Sequence, residues 1–239
     1  MMIKIVDGKY NYNQTNGINN INLTINDGES VCFVGPNGAG KSTLMKILTG
    51  VLPLQAGSYH FDNLLIDQTF LNDLTKVGQL YSQIGFVFQD SDVQLFNMTV
   101  EDEIAFGPRH LGLTEKEVMT RVDDMLKLME IEKLRNRVPY QISGGEKKLV
   151  AIASVLAMNP SVIVFDEPFN GLSPRHRKMV KMIINKLHSI GKTIIISSHH
   201  FKQISEMVDS AYLFSETGTI TGKFDHDDFP ELLDKIDYL

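Results

Sequence analysis

The chain has 239 residues, 43% of them hydrophobic, which is enough for one large domain or for a core with a subdomain. A net charge of −6 gives no support for a nucleic-acid partner. Residues 1–7 lack the apolar segment of a signal peptide, and the longest apolar run, residues 149–158, is far shorter than the ~20 residues of a membrane helix. With a single cysteine, Cys32, these features predict a cytosolic protein with a buried thiol.

The first predicted elements are two strands, residues 3–12 and 18–25, in which apolar and polar side chains alternate as they do in half-buried antiparallel strands. A turn then leads to a short apolar strand at residues 31–34. Tyr10 and Tyr12 lie in the first strand. Taken from the pattern alone, either ring is an ordinary strand aromatic or a platform on which an adenine base stacks.

The stretch after the third strand, residues 35–43, fits the phosphate-loop motif G-x-x-x-x-G-K-[S/T] at every fixed position. Its backbone N–H groups and the N-terminus of a helix predicted at residues 42–48 would cradle phosphates. Lys41 would reach the β- and γ-phosphates, and the Ser42 hydroxyl would bind Mg²⁺. A plain glycine-rich turn is disfavoured because all fixed positions are in register. We expect a nucleoside triphosphate to contact Asn37, Gly38, Ala39, Gly40, Lys41, Ser42 and Thr43.

A second strand pair is predicted at residues 57–61 and 63–66, and a buried strand at residues 83–88. After Gln89, residues 90–99 mix acids, amides and large apolar side chains without a clear helical or strand period. Two interpretations stay open for this segment. It is either a loop that packs its own apolar residues, or a surface that meets another protein.

The pattern from residue 99 to 158 is helical, with a capping box at Thr114 and Glu117. Strands and helices alternate again beyond it, and an acidic tail after residue 222 is expected to end in a helix. These later elements, in chain order, are a strand at residues 162–165, a helix at 174–190, a strand at 193–196, a helix at 200–208 and a strand at 211–214. They predict a parallel-sheet α/β domain with a helical insertion.

Two carboxylates, Asp166 and Glu167, follow the apolar strand at residues 162–165. At the carboxyl edge of a sheet that also carries the phosphate loop, Asp166 would hold Mg²⁺ and Glu167 would polarise a water for attack on the γ-phosphate. Without the phosphate loop, a solvated strand end would be the better interpretation.

Residues 142–146, Ile-Ser-Gly-Gly-Glu, have two compatible interpretations. Ser143 and Glu146 fit a capping box that opens a helix. The two glycines between them also expose backbone N–H groups, which can bind a phosphate from a second side.

The order of these motifs, over essentially the whole chain, resembles the ATPase subunit of an ABC transporter. The resemblance implies a P-loop NTPase fold of the ABC ATPase type, with a mixed sheet, an antiparallel β subdomain and a helical subdomain insertion. It implies one domain over residues 1–239, with the helical subdomain at about residues 99–158 and a short C-terminal tail at about residues 222–239. The implied activity is ATP hydrolysis coupled to transport, with ATP and Mg²⁺ as cofactors.

The same resemblance implies individual roles. Gln89 would lie in the loop that couples to a membrane partner, act in catalysis with Glu167 and His199, and join Ser42 and Asp166 as a metal ligand. His199, after the strand at residues 193–196, would contact the γ-phosphate.

The remaining roles concern the nucleotide's other side. The family's signature, here Ser143, Gly144 and Gly145, would close over the ATP of a second subunit. Tyr12, rather than Tyr10, would stack on the adenine by its spacing before the phosphate loop.

A finer similarity lies in residues 89–96 and 99–108, which resemble the energy-coupling-factor (ECF-type) importers of vitamins and of cobalt or nickel. Residues 145–148 and 150–158 are similar to the cobalt/nickel branch. The chain would then be a peripheral protein on the cytoplasmic face of the membrane. Its partners would be a second ATPase subunit, either itself or a paralogue, and an integral membrane transporter subunit.

Several alternatives and departures accompany this similarity. The ATPase of another ABC transporter class and a soluble ABC ATPase remain alternatives, whereas a small-molecule kinase would leave the signature without a role. We expect Leu95 and Phe96 to face the membrane subunit. Ser173 stands where the family usually has an aspartate that links the two ATP sites, and it suits the N-cap of a helix starting at Pro174. Ile142 and Glu146 are mild departures, and Phe169 and His200 also depart from the family's usual residues.

Overall fold

The computed structural model describes residues 2–13 and 17–236. The chain divides into two compact units. One, the P-loop unit, holds residues Met1–Tyr81 and Ile184–Leu239, and the other, the signature unit, holds Ser82–Ile183. Within the described ranges, no helix combines the length and the apolar character that crossing a bilayer requires.

The strands, in chain order, are β1 (Met2–Asn11), β2 (Gly17–Asn26), β3 (Ser30–Val34), β4 (Ala56–Phe61), β5 (Leu64–Leu65), β6 (Ile84–Val87), β7 (Val162–Asp166), β8 (Thr193–Ser197), β9 (Ser210–Phe214) and β10 (Ile220–Asp225). The helices are α1 (Lys41–Leu48), α2 (Gln68–Leu71), α3 (Leu74–Gln83), α4 (Val100–His110), α5 (Glu115–Leu128), α6 (Gly144–Ala157), α7 (Pro174–Ser189) and α8 (Phe229–Ile236).

An antiparallel sheet of order β2-β1-β4-β5 forms one layer of the P-loop unit. Ile3 is in register with Ile25 on β2 and with Phe61 on β4, and all three side chains are buried. Buried residues alternate with more exposed ones at Ile3 and Ile5 of β1 and at Ile21, Leu23 and Ile25 of β2, and shifts in register interrupt the alternation in the rest of β1. This layer is the predicted antiparallel subdomain.

A second layer of the P-loop unit is centred on β3, which runs parallel to β8 on one side and to β9 on the other. All five residues of β3 are buried. The strand is covered on both faces, which explains why its residues 31–34 form a continuous apolar run. Cys32 lies in this strand and is buried, as predicted. Since β10 pairs antiparallel with β9, the sheet is mixed.

The signature unit combines the parallel pair β6 and β7 with helices α4, α5 and α6. Helix α5 buries Val118, Val122 and Leu126 at helical spacing. Both predicted capping boxes are present, at Thr114 for α5 and at Ser143 for α6. The predicted helical insertion therefore lies within this unit.

One predicted helix, at residues 200–208, is wrong. The structure has two 3₁₀ turns there, Phe201–Gln203 and Ser205–Met207. The apolar side chains Phe201, Ile204 and Met207 recur every third residue and are all buried, which matches the three-residue turn of a 3₁₀ helix. The predicted C-terminal helix is confirmed as α8, whereas the pattern gave no sign of α2, α3 or β10.

Candidate active site

The phosphate loop joins the buried strand β3 to helix α1 within the P-loop unit. Gly40 is the N-cap of α1 with a φ of 87°, and among the described residues no side chain caps this helix end. A Cβ at this position would lie 2.6 Å from Cγ2 of Ile18 and 2.8 Å from the carbonyl oxygen of Gly17. Only glycine satisfies both the backbone angle and the close approach. The first turn of α1 thus presents backbone N–H groups, as an anion site requires.

Lys41 is buried and folds back over the loop that precedes it. Its Nζ donates to the carbonyl oxygens of Gly35 and Pro36, at 2.8 Å each. These bonds hold the ammonium at the start of α1, where it adds to the positive end of the helix dipole. The arrangement is electrostatically suited to a polyphosphate.

His199 follows β8 at the sheet edge from which the phosphate loop emerges. Ser197, the last residue of β8, is in register with Phe33 on β3, and the Ser198 N–H donates to the Phe33 carbonyl at 3.3 Å. The His199 ring packs against that of His200, with centroids 3.9 Å apart. Because the carboxyl ends of parallel strands meet at one edge, the P-loop unit brings its histidine and its phosphate loop together.

Tyr12 comes directly after β1 and is exposed, whereas the Tyr10 ring packs edge-on against it at a centroid distance of 5.0 Å. The Tyr12 ring is held by a second aromatic ring and does not form part of the hydrophobic core. Of the two tyrosines, Tyr12 therefore has the geometry of a stacking platform.

The signature unit has its own strand edge with functional groups. Val87 on β6 is in register with Phe165 on β7, so Gln89 lies just beyond the end of β6, while Asp166 ends the neighbouring parallel strand β7 and Glu167 follows it. Both carboxylates are buried, and Glu167 adopts a φ of 47°, in the left-handed region that a non-glycine residue rarely occupies. Strained backbone of this kind is concentrated at functional sites.

Lys148 on α6 is a residue that the sequence analysis did not single out. It is only 3% exposed, and its Nζ donates to the carbonyl oxygens of Phe88 at 2.8 Å and Gln89 at 2.7 Å. Burial lowers its pKa to about 8, while the charges of Asp166, Asp90 and Glu167 act in the opposite direction. The lysine fixes the backbone at the end of β6. In the sequence, the one sign of this role was the position of a lysine directly before the apolar run of α6.

The signature residues lie at the N-terminus of α6. Ser143 Oγ accepts from the Glu146 N–H and donates to Oε2 of Glu146, while Ser143 and Gly144 themselves are exposed. A Cβ at Gly145 would lie 3.4 Å from the carbonyl oxygen of Gly171, an ordinary van der Waals distance, so the signature lies next to the turn before α7.

Ser173, the departure from the family's aspartate, occupies the N-cap position predicted for it. Its Oγ accepts from the His176 N–H at 3.3 Å, and α7 begins at Pro174. The serine thus has a structural role at the helix start.

Residues 89–98 form an irregular segment whose only helical turn is the 3₁₀ turn Ser91–Val93. Phe96 is 67% exposed and Met98 is 77% exposed, and Val93 is also exposed. The Phe96 ring packs edge-on against Phe106 of α4 at a centroid distance of 4.9 Å. Leu95, which was expected to be at the surface with Phe96, is half-buried. We call the exposed set Val93, Phe96, Met98 and Phe106 the apolar patch.

Mg²⁺ fits the predicted ligands by their chemistry. A serine hydroxyl (Ser42), an amide oxygen (Gln89) and a carboxylate (Asp166) are the oxygen donors that this ion prefers. Within residues 2–13 and 17–236, no group of three or more His, Cys, Asp or Glu side chains is placed to hold a metal. Mg²⁺ needs no such group, because it binds through one or two carboxylates together with substrate phosphates and water.

The predicted site residues are divided between the two units. The P-loop unit carries Tyr12, residues 37–43 and His199, and the signature unit carries Gln89, residues 143–145, Asp166 and Glu167. Within each unit, the structure brings the strand-end residues to one edge.

Comparison with known proteins gives consistent results. A model of the ABC transporter family matches residues 18–170. The nickel import ATP-binding protein LarO of Lactiplantibacillus plantarum is 45% identical over 90% of this chain and 90% of its own length. The energy-coupling factor transporter ATP-binding protein EcfA2 of Clostridium acetobutylicum is 38% identical over 100% of this chain and 84% of its own length.

A solved structure extends the comparison to three dimensions. The structure of cbiO1 from Clostridium perfringens, part of the ABC transporter complex cbiONQ, has a TM-score of 0.81 and 34% identity, over 99% of this chain and 94% of that chain. These matches confirm the predicted fold class and the family resemblance.

Proposed function

The chain belongs to the ABC transporter family, and from that premise we propose that it is the motor subunit of an ECF-type importer. Its ATPase relatives hydrolyse ATP to drive transport, so the chain is an ATP-binding and ATP-hydrolysing enzyme. The phosphate loop carries this conclusion, because Gly40 and Lys41 adopt a geometry that serves phosphate binding.

The nucleotide contacts follow from the P-loop unit. The N–H groups of residues 37–43 and the Lys41 ammonium bind the phosphates, and Tyr12 stacks on the adenine. His199 contacts the γ-phosphate from the neighbouring strand edge. The support for His199 is its position two residues after β8, whose end lies beside that of β3.

Hydrolysis is an in-line attack of water on the γ-phosphorus, which breaks its bond to the oxygen of ADP. Glu167 accepts the proton of that water, and Asp166, Ser42 and Gln89 would hold Mg²⁺. When bound, Mg²⁺ neutralises charge on the phosphate oxygens. The buried position of Glu167 supports this role, since a carboxylate in a site sheltered from bulk water interacts more strongly with its reactants.

The working unit is a dimer, in which Ser143, Gly144 and Gly145 of one subunit bind the ATP held by the other. Ser143 and Gly144 are exposed at the start of α6, where backbone N–H groups and the helix dipole favour a phosphate. Whether the second subunit is identical or a paralogue does not alter this geometry.

The membrane partner is an integral transporter subunit that contacts the apolar patch. Exposed aromatic and methionine side chains grouped on one surface are typical of an interface core rather than of a free surface. The acidic side chains Asp90 and Asp92 flank the patch and are exposed, which gives the polar rim expected of such an interface. The chain is therefore peripheral, on the cytoplasmic face of the membrane.

The transported substrate is nickel or cobalt, with a vitamin as the alternative within the ECF type. The similarity to a nickel import protein supports the metal. The test is to purify the tagged chain from detergent-solubilised membranes, identify the membrane subunits that accompany it, and reconstitute the complex in vesicles. ATP-driven uptake of radioactive nickel or cobalt, absent in Lys41→Ala, is expected. Uptake of a labelled vitamin instead would change the substrate, and absence of any membrane subunit would refute the proposal.

A further inference from the structure

The segment of residues 89–98 carries most of the apolar patch, yet it has almost no regular structure to hold it. The first part of this segment is bonded to residues of α6. Gln94 accepts the Phe88 N–H at 3.0 Å and donates to the Ala151 carbonyl at 3.0 Å, and Lys147 pairs with Asp92 at 2.6 Å. These bonds fix the segment as far as Gln94. They leave open how Phe96 is oriented.

The Phe96 ring packs against Phe106, and a buried carboxylate holds the backbone that carries this ring. Glu103 on α4 is 4% exposed, and its Oε2 accepts the Phe96 N–H at 3.0 Å, the Asn97 N–H at 2.8 Å and the Asn97 side-chain amide at 3.1 Å. Three donors on one charged oxygen form a strong and directional arrangement, because hydrogen bonds to an ionised acceptor are about twice as strong as neutral ones.

The burial of Glu103 needs a reason, because an isolated carboxylate is costly to remove from water. The other buried positions nearby on α4, such as Val100 and Ile104, are apolar, so packing alone would favour an apolar residue here. The three N–H groups compensate the desolvation of Glu103. In return, the carboxylate fixes two successive residues of an otherwise irregular segment.

We propose that Glu103 is a positioning residue of the docking surface, which holds Phe96 in the orientation that the membrane subunit binds. This inference rests on the proposed function for its partner, but the local role of Glu103 stands on the structure of the isolated chain. We assign this carboxylate no part in nucleotide binding or hydrolysis. It acts through the backbone of Phe96 and Asn97.

The test compares two isosteric substitutions on the same helix. Glu103→Gln removes the charge and leaves one amide oxygen where three donors converge. Glu101→Gln is the control, since it lies on the same helix and its carboxylate pairs with Arg135. A nitroxide label at Met98→Cys reports the mobility of the segment, because Met98 is exposed and the native Cys32 is buried.

Glu103→Gln should raise the mobility of the label, and Glu101→Gln should leave it as in the parent protein. In the detergent-solubilised complex, Glu103→Gln should weaken retention of the membrane subunits on the tagged chain about tenfold, with ATP affinity unchanged. If Glu103 only stabilised the fold, Glu103→Gln would lower the melting temperature and would weaken retention of the membrane subunits and ATP affinity alike.

Unchanged label mobility in Glu103→Gln would overturn the proposal, and so would raised mobility with full retention of the partner. If the parent chain retains no membrane subunit, the proposed function fails, and label mobility alone then decides whether Glu103 orders the segment. Should Glu103→Gln not fold, Asn97→Ala removes one of the three donors. It is expected to give a smaller rise in mobility, and no rise would overturn the proposal.

Discussion

Glu167 joins burial to a left-handed backbone, with a φ of 47°, directly after β7. As the proposed general base, it must accept a proton, which an amide cannot do. Glu167→Gln should therefore keep ATP affinity and accumulate as a nucleotide-bound dimer. Its rate of hydrolysis should fall at least about a hundredfold, which is the factor that a general base contributes. Phosphate release and gel filtration with ATP measure both effects. Wild-type hydrolysis in this variant would refute the role.

Lys148 gives a prediction for pH dependence. Its pKa is about 8 in the folded chain and 10.5 when exposed, so between these values the unfolded chain binds more protons. Stability contributed by this residue should then rise with pH, by at most about 1.4 kcal/mol per pH unit. Urea denaturation between pH ~8 and ~10 should show a smaller rise in Lys148→Met than in the wild type. Equal slopes in the two proteins would contradict the assignment.

At the scale of elements, the irregular segment of residues 89–98 contains both exposed apolar side chains, Phe96 and Met98, and a half-buried one, Leu95. Phe96→Ala with Met98→Ala removes exposed groups, so the melting temperature should hold while affinity for the membrane subunit falls more than tenfold, about 2 kcal/mol. Leu95→Ala is the matched variant. Because Leu95 is half-buried, its truncation should instead lower the melting temperature. A melting curve and a pull-down distinguish these outcomes, and a stable double variant that keeps its partner would exclude this docking surface.

The elements also show what a sequence can predict. β1 and β2 follow from a rough alternation of apolar and polar residues, and α5 follows from its capping box and apolar spacing, because both signals are local. The turns at residues 200–208 were misassigned, since a spacing of three fits one helical turn as well as a 3₁₀ turn. Lys148 and Gln94 escaped prediction for a different reason. Their partners are backbone groups 60 and 57 residues away, and no local pattern encodes such a contact.

At the scale of the whole molecule, the candidate site residues could be identified because they belong to motifs that lie at or near strand ends and helix starts, and their roles stay predictions. The order of the motifs then indicated the family. Neither the motif nor the order predicts how Ser143 is presented, which depends on its position at the exposed start of α6. That exposure gives a test of the dimer.

Ser143→Arg should block closure of the dimer, because it adds bulk and charge at an exposed helix start that another subunit must approach. The substitution also removes the N-cap, at a cost of about 1 kcal/mol, so Ser143→Ala is the control that loses the cap without adding bulk. Each subunit of Ser143→Arg retains its phosphate loop and should bind ATP as a monomer. Only hydrolysis should be lost, and Ser143→Ala should retain more of it.

Mixing Ser143→Arg with Lys41→Ala tests the composite site directly. A mixed dimer has one site that combines an intact phosphate loop with an intact signature, whereas neither parent dimer has any. Activity should therefore return in the mixture, because the intact signature of the Lys41→Ala subunit meets the intact phosphate loop of the other subunit. Phosphate release on titrating one variant into the other measures it. If mixed dimers form and remain inactive, the two sites do not work independently, and the model of two separate composite sites is wrong.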